Sequence, residues 1–141
     1  MTNAKTADSA GEAFARARPG RRVIGWKLER DERDTLLAQF APRYERAIAD
    51  HVTLRAHVQE TSALPPACTG VIVGRSDDGQ GVEAMVVQVD GTVERPDGAT
   101  YHITWSLAPG RRAVESNDVI AKHRWEPLDP PVPVRLSPAV F

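Results

Sequence analysis

The chain has 141 residues, 41% of them hydrophobic, a length that suits one domain with its own core and requires neither disulfide nor structural metal. Its 18 Lys+Arg and 19 Asp+Glu leave a formal net charge of -1, which excludes a global field for non-specific nucleic-acid or membrane binding; any anion site must be local. The lone Cys68 excludes an internal disulfide and a CxxC zinc site, and is expected to be an ordinary structural residue in a reducing compartment.

In chain order, the opening MTNAKTADSAGEAFARARPGRR is rich in Ala and Arg, but Asp8 and Glu12 break a transit-peptide pattern and the apolar centre of a secretory signal is missing. Residues 1–20 are expected to be a disordered tail and 21–141 a single domain. No apolar run approaches the roughly 18 residues of a membrane-spanning helix, so a soluble, cytoplasmic, monomeric protein without a membrane partner is expected. After Pro19-Gly20, RRVIGWKLE is short, apolar at its centre and bounded by charge, as a strand is. In RDERDTLLAQFAPRYERAIAD, Leu36, Phe40, Tyr44 and Ile48 recur every fourth residue, which predicts a helix capped by Asp31 or Asp34. Pro42 predicts a kink there, or a second short helix with Pro42 in its first turn.

HVTLRAHV at 51–58 alternates strictly and reads as a strand: Val52, Leu54, Ala56 and Val58 on one face, His51, Thr53, Arg55 and His57 on the other. Beyond Leu64-Pro65-Pro66, ACTGVIVGR predicts a strand and GVEAMVVQVDGTVERPDG a hairpin turning at Asp90-Gly91, with a second turn at Pro96-Asp97-Gly98. ATYHITWSL is the next strand. A Pro-Gly-Arg-Arg loop leads to a short helix over DVIAK, capped by Ser116 or Asn117. In the proline-punctuated end EPLDPPVPVRLSPAVF, VPVRL is at best an edge strand. Strands and helices without regular βαβ repetition predict an α+β fold.

HITWSL at 102–107 repeats the pattern of the first alternating strand: His102, Thr104 and Ser106 share one face, Ile103, Trp105 and Leu107 the other. Two residues apart on a strand sets an imidazole beside a hydroxyl, about 7 Å along the backbone. Two such pairs facing each other supply hydroxyl donors for the non-bridging oxygens of a phosphate and an imidazole on either side of phosphorus. An in-line displacement needs a base on the entering water and an acid on the departing oxygen, and histidine's ordinary pKa of about 6.5 lets one ring be neutral while the other is charged.

HVTL and HITW resemble the paired H-x-T/S motifs of the two-histidine phosphoesterases, in which they line a cleft between two pseudosymmetric lobes. HITWSL followed by AVESNDVIA is similar, more closely, to the cyclic phosphodiesterase domain of fungal-type tRNA ligases, over roughly residues 22 to 126. The resemblance implies two small antiparallel sheets around a central cleft with helices outside. It implies opening of a 2',3'-cyclic phosphate, at an RNA end or on a nucleotide, to a 2'-phosphate and a 3'-hydroxyl, without a cofactor or metal. It makes His51 and His102 catalytic and Thr53 and Thr104 phosphate-binding, and leaves open which histidine is base and which acid. The sequence contains no GxxxxGKS/T kinase loop and no ligase module, so a repair role would call on enzymes elsewhere.

The plainer readings are solvent-facing strand residues for the two motifs, and a metal site. Neither motif carries a carboxylate, and His51 and His57 lie about 20 Å apart on an extended strand, too far for one ion. His57 and His123 are expected at the surface. Arg55 shares the face of Thr53 and, with Ser106, Arg111 and Arg112, is a candidate substrate contact. Trp105 falls on the apolar face, as core, while Trp26, Tyr101 and Trp125 are assigned no ligand role. The alternatives are a non-catalytic RNA-end or nucleotide-binding module, and a phosphodiesterase for a small cyclic nucleotide.

Overall fold

The computed structural model describes residues 23–56 and 63–141; the expected N-terminal tail and His57 lie outside them. Its elements are β1 (Ile24–Leu28), α1 (Arg30–Gln39), β2 (Arg46–Ala47), β3 (His51–Arg55), β4 (Cys68–Asp77), β5 (Val82–Gln88), β6 (His102–Leu107), α2 (Glu115–His123) and β7 (Glu126–Val140). The fold is α+β. All strand pairs are antiparallel and belong to one seven-stranded sheet, β2-β6-β5-β4-β7-β1-β3. One sheet stands where two small ones were expected. Its outermost strands, β2 and β3, are consecutive in the chain, so the sheet curls until its two ends are joined by residues 48–50.

The concave side holds the main core, in which Trp26, Val52, Ile72, Met85, Ile103 and Trp105 pack together and Leu36 of α1 joins them. Burial of such side chains contributes about 1.5–3 kcal/mol each, the main force drawing the sheet round. On the convex side α2 lays Val119 against Val82 and Leu107, and Ile120 against Ala84 and Val86.

Helix α1 stops at Gln39, so Tyr44 and Ile48 of the expected stripe are not helical. Proline disfavours the helical conformation of the residue before it, and neither the kinked helix nor the second short helix forms around Pro42. The periodicity has another cause: Leu36 and Phe40 meet the core, Ile48 packs near Val82 and Leu107, and Tyr44 donates its hydroxyl to Asp77 at 2.6 Å. Neither Asp31 nor Asp34 caps α1; Glu29 is the N-cap without a side-chain cap bond, and Asp31 and Glu32 favour the positive end of the helix from within its first turn. Helix α2 likewise begins one residue before Ser116, so Ser116 is not its cap.

The proline-rich end is not an edge. Strand β7 lies between β4 and β1, and prolines are tolerated because it changes partner along its length. Residues 132–136 pair with β4 and 136–140 with β1, with Leu136 pairing to both Cys68 and Leu28. Pro133 therefore pairs only toward β4 and Pro138 only toward β1, so a proline's missing N–H can fall on the side without a partner. The Arg135 N–H, pointing away from β4, donates to Glu32 Oε1 at 2.6 Å. The hairpin turn falls where the sequence predicts it, with Asp90 and Gly91 at φ 51 and 81 inside the Val89–Thr92 bridge.

At one end of the barrel Glu83 has no exposed surface. It accepts hydrogen bonds from Arg75 Nε at 2.6 Å, Ser106 Oγ at 2.6 Å and the Arg43 N–H at 3.0 Å. A buried carboxylate is tolerated only when satisfied in this way. Replacing Glu83 by Ala leaves Arg75 facing the interior without its counter-charge and is expected to cost about 3–5 kcal/mol of stability, read by urea denaturation. Glu83→Gln, which keeps part of the hydrogen bonding, is expected to cost less.

Candidate active site

Strands β2 and β3 are one extended segment that changes partner. Arg46 and Ala47 pair with Leu107 and Ser106 of β6, and the N–H groups of Ile48 and Ala49 donate to the carbonyls of Trp105 and Thr104, both at 2.9 Å. Ala49 then turns to φ 44, a left-handed conformation uncommon for a residue with a Cβ. Past it the Asp50 carbonyl accepts from the Leu28 N–H, and His51 to Arg55 pair with β1. The two carbonyls at the change, Ile48 and Ala49, accept from Arg33 of α1, at 2.8 Å to Nη2 and 2.9 Å to Nε. The segment thus runs antiparallel toward the His102 end of β6, then peels away and leaves a wedge with one H-x-T motif on each side.

Both motifs open on the convex face, since Val52 on one strand and Ile103 on the other belong to the concave core. The parity of HITWSL fails at its end. Glu83 pairs with Ser106 and Ala84 with Thr104, so Trp105 is the extra residue of a β-bulge. Ser106 is thereby turned inside onto Glu83, accepting also from the Tyr44 N–H at 3.2 Å, and is withdrawn from the face of His102 and Thr104.

Each imidazole is held by Nδ1. His51 Nδ1 is 3.0 Å from Asp50 Oδ2, and His102 Nδ1 is 2.9 Å from the Thr100 carbonyl oxygen. A carbonyl only accepts, and Asp50 is an ionised acceptor: its hydrogen bond with His51, then Lys27 and Arg30, hold its carboxyl well below the usual range despite burial. Both rings therefore carry the proton on Nδ1 when neutral, leaving the Nε2 lone pair for chemistry. His102 has its pKa lowered to about 4, chiefly by desolvation, with the charges of Arg95 and His51 adding to it. The aromatic ring of Phe141 lies 4.2 Å, centroid to centroid, from that of His51.

Thr53 is half-buried on the outward face of β3, but Arg55 does not share that face: Gly25 pairs with Thr53 and Ile24 with Arg55, so Leu54 is the extra residue of a bulge and the exposed Arg55 falls to the opposite side. Thr104 is buried under α2, its hydroxyl 2.9 Å from that of Ser116. Arg111 is engaged elsewhere: it donates to Asp78 at 2.9 Å, Glu115 at 2.9 Å and the Gln80 carbonyl at 2.6 Å, bracing the β4–β5 turn against α2. Arg112 is exposed, and its N–H donates to Glu115 at 2.7 Å. His123 is exposed; Trp26 and Tyr101 are buried and meet edge to face; Trp125 packs flat against Gly74, where a Cβ would strike its ring. Cys68 is half-buried at the start of β4, and burial pushes its thiol up. Among the described residues, no group of three His, Cys, Asp or Glu is arranged to hold a metal ion, and no helix is long and apolar enough to cross a membrane.

Sequence reasoning passed over Asp50, Arg95 and Ser116. Asp50 directly precedes His51, and adjacency in a strand ordinarily sends side chains to opposite faces; the turn at Ala49 removes that rule. Arg95 is buried and tied to Asp97 at 2.5 Å within the second turn, and only its charge bears on His102. Ser116 was signalled by SND after the second motif, but a capping role sufficed to explain it.

Two measurements check this arrangement. Arg33→Met removes both donors at the change of partner and is expected to destabilise the protein by about 1–3 kcal/mol in urea denaturation, because two part-buried carbonyls lose their partners. His102 makes stability fall with acidification: between pH 6.5 and about 4 the unfolded chain binds a proton that the folded one refuses, so the loss grows as pH drops through that window. It amounts to up to about 3 kcal/mol, and His102→Gln is expected to lose correspondingly less stability than wild type between pH 7 and pH 4.5.

No family model, curated protein or solved structure matches the chain.

Proposed function

We propose that the chain is a metal-independent phosphodiesterase of the two-histidine type that opens a 2',3'-cyclic phosphate, at an RNA end, to a 2'-phosphate. The observation that carries this reading is the strand switch that opens a wedge with one H-x-T strand on each side, each imidazole held through Nδ1 and, among the described residues, with no hydrogen bond at Nε2. Phosphate would sit between the rings, with Thr53 on one side and Thr104, backed by Ser116 at 2.9 Å, on the other. One imidazole takes the proton of the attacking water and the other supplies a proton to the ribose oxygen that departs. In this reading β2–β3 and β6 play the part of the two pseudosymmetric halves, drawn together within a single sheet rather than set in separate lobes.

The test is turnover of an oligoribonucleotide ending in 2',3'-cyclic phosphate against mononucleoside cyclic phosphates, with identification of the product isomer. Hydrolysis to a 2'-phosphate in the presence of chelator is the expected result; binding without turnover would make the chain an RNA-end module, and preference for the mononucleotide a small-molecule enzyme. His51→Ala and His102→Ala are each expected to lower the single-turnover rate about 10²–10⁴-fold. Thr53→Ala and Thr104→Ala remove one donor to a phosphate oxygen and are expected to cost about 2–4 kcal/mol in the transition state, with Thr→Ser milder.

A further inference from the structure

The two imidazoles are held by chemically different partners, and the difference divides their work. His102 leans on a neutral carbonyl in a desolvated setting, where the charge of the buried Arg95 further disfavours an imidazolium. His51 leans on a carboxylate that is itself anchored: Asp50 Oδ2 is 2.9 Å from Lys27 Nζ and Oδ1 is 2.8 Å from Arg30 Nη2. Lys27 is the residue paired with His51 across β1 and β3, and Arg30 opens α1, so Asp50 is gripped from two elements and cannot swing away from the ring without breaking both ion pairs. We propose that Asp50 is a positioning residue that holds His51 in its Nδ1-protonated form and stabilises its imidazolium, making His51 the proton donor of the pair and His102 the acceptor. This rests on the phosphodiesterase reading above.

The physical basis is the behaviour of a carboxylate at hydrogen-bond distance from an imidazole. It fixes the tautomer, because only a ring N–H can face an ionised acceptor, and it favours the charged ring over the neutral one. The other charges around His51 are Lys27 and Arg30, which oppose an imidazolium but are closer to Asp50 than to any other described acid, His102 across the wedge, and Arg55 two pairs further along the strand. Phe141 covers part of the ring and carries no side-chain charge. In the step itself, Nε2 of neutral His102 takes a proton from water as its oxygen bonds to phosphorus. The bond from phosphorus to the departing ribose oxygen breaks, and that oxygen takes the Nε2 proton of His51. One water is consumed; the rings end with their charges exchanged and are reset by proton exchange with solvent.

The experiment combines ¹⁵N NMR of the imidazoles with kinetics. In the free wild-type protein His51 is expected in the Nδ1–H form at alkaline pH; in Asp50→Ala the Nε2–H form, favoured by free imidazole, is expected to appear. A wild-type ring in the Nε2–H form, or one indifferent to Asp50→Ala, would overturn the proposal whether or not the protein hydrolyses anything. On the cyclic-phosphate oligonucleotide, Asp50→Asn is expected to move the alkaline limb of the kcat profile to lower pH and to lower kcat about 10-fold or more, since the proton donor loses its carboxylate partner. Asp50→Glu is expected to restore the limb in part. A uniform loss across pH, with the limb in place, would mark Asp50 as merely structural and refute the assignment. A cyclic phosphorothiolate with sulfur at the 3'-bridging position departs as a thiolate and needs no proton; it should largely rescue His51→Ala and Asp50→Asn and leave His102→Ala impaired, and the opposite pattern would reverse the roles. Failure of wild type on every cyclic phosphate, with the tautomer as expected, would sink the phosphodiesterase reading and the division of labour with it.

Discussion

Everything at the wedge depends on one backbone event, the turn of Ala49 into left-handed space. A segment continuing straight from Arg46 to Arg55 would stay bonded to β6 along its length and present His51 and His102 as a cross-strand pair, with no room between them. A turn placed a few residues earlier would carry His51 away from β6 altogether. The conformation is unfavourable for alanine and persists because its surroundings over-determine it: the Ala49 N–H is taken by β6, its carbonyl and that of Ile48 by Arg33, and its side chain is fully buried in the core. Helix α1 thus contributes Leu36 to the core, Arg33 to the turn and Arg30 to the carboxylate beside His51.

Polar groups are distributed with the same economy. The inner face admits Glu83, Arg75 and Ser106 only as a mutually satisfied group at the barrel's end. The convex face holds the imidazoles and threonines, one motif half-open and the other roofed by α2. The β-bulge at Trp105 separates the two sets. It lets adjacent Trp105 and Ser106 both turn inward, so the strand that serves the outer face at Thr104 serves the inner one two residues later.

Much of this was legible in the sequence. Strict alternation gave away the first parts of β3 and of β6, because a period of two is what a pleated strand with one buried face requires, and the repeated H-x-T was visible as a repeat; the bulges at Leu54 and Trp105 end that rule on each strand. Asp90-Gly91 announced its turn through the conformations it needs. What stayed hidden was non-local. The inward turn of Ser106 is decided by how β5 meets β6. The spacing of Leu36, Phe40, Tyr44 and Ile48 satisfies a helical period while serving a helix, a loop and a strand switch. The prolines of β7 read as edge signals because a single sequence does not reveal that the strand has different neighbours at its two ends. Asp50 was hidden by the alternation rule itself, which holds only until the backbone leaves the strand.

The handover along β7 bears on how the chain reaches its fold. Apart from the β2–β3 link, β7 is what joins the pair β1 and β3 to the meander β4, β5 and β6, and it follows every other strand in chain order. Hairpins such as β4–β5 can form from local sequence, but the middle of the sheet is supplied last and must pair across more than a hundred residues with β1. Loop closure of that span comes before its contacts can reward it, so barrel closure is expected late in folding. The strand switch at Ala49 and the grip of α1 on it would then be completed only as the sheet closes.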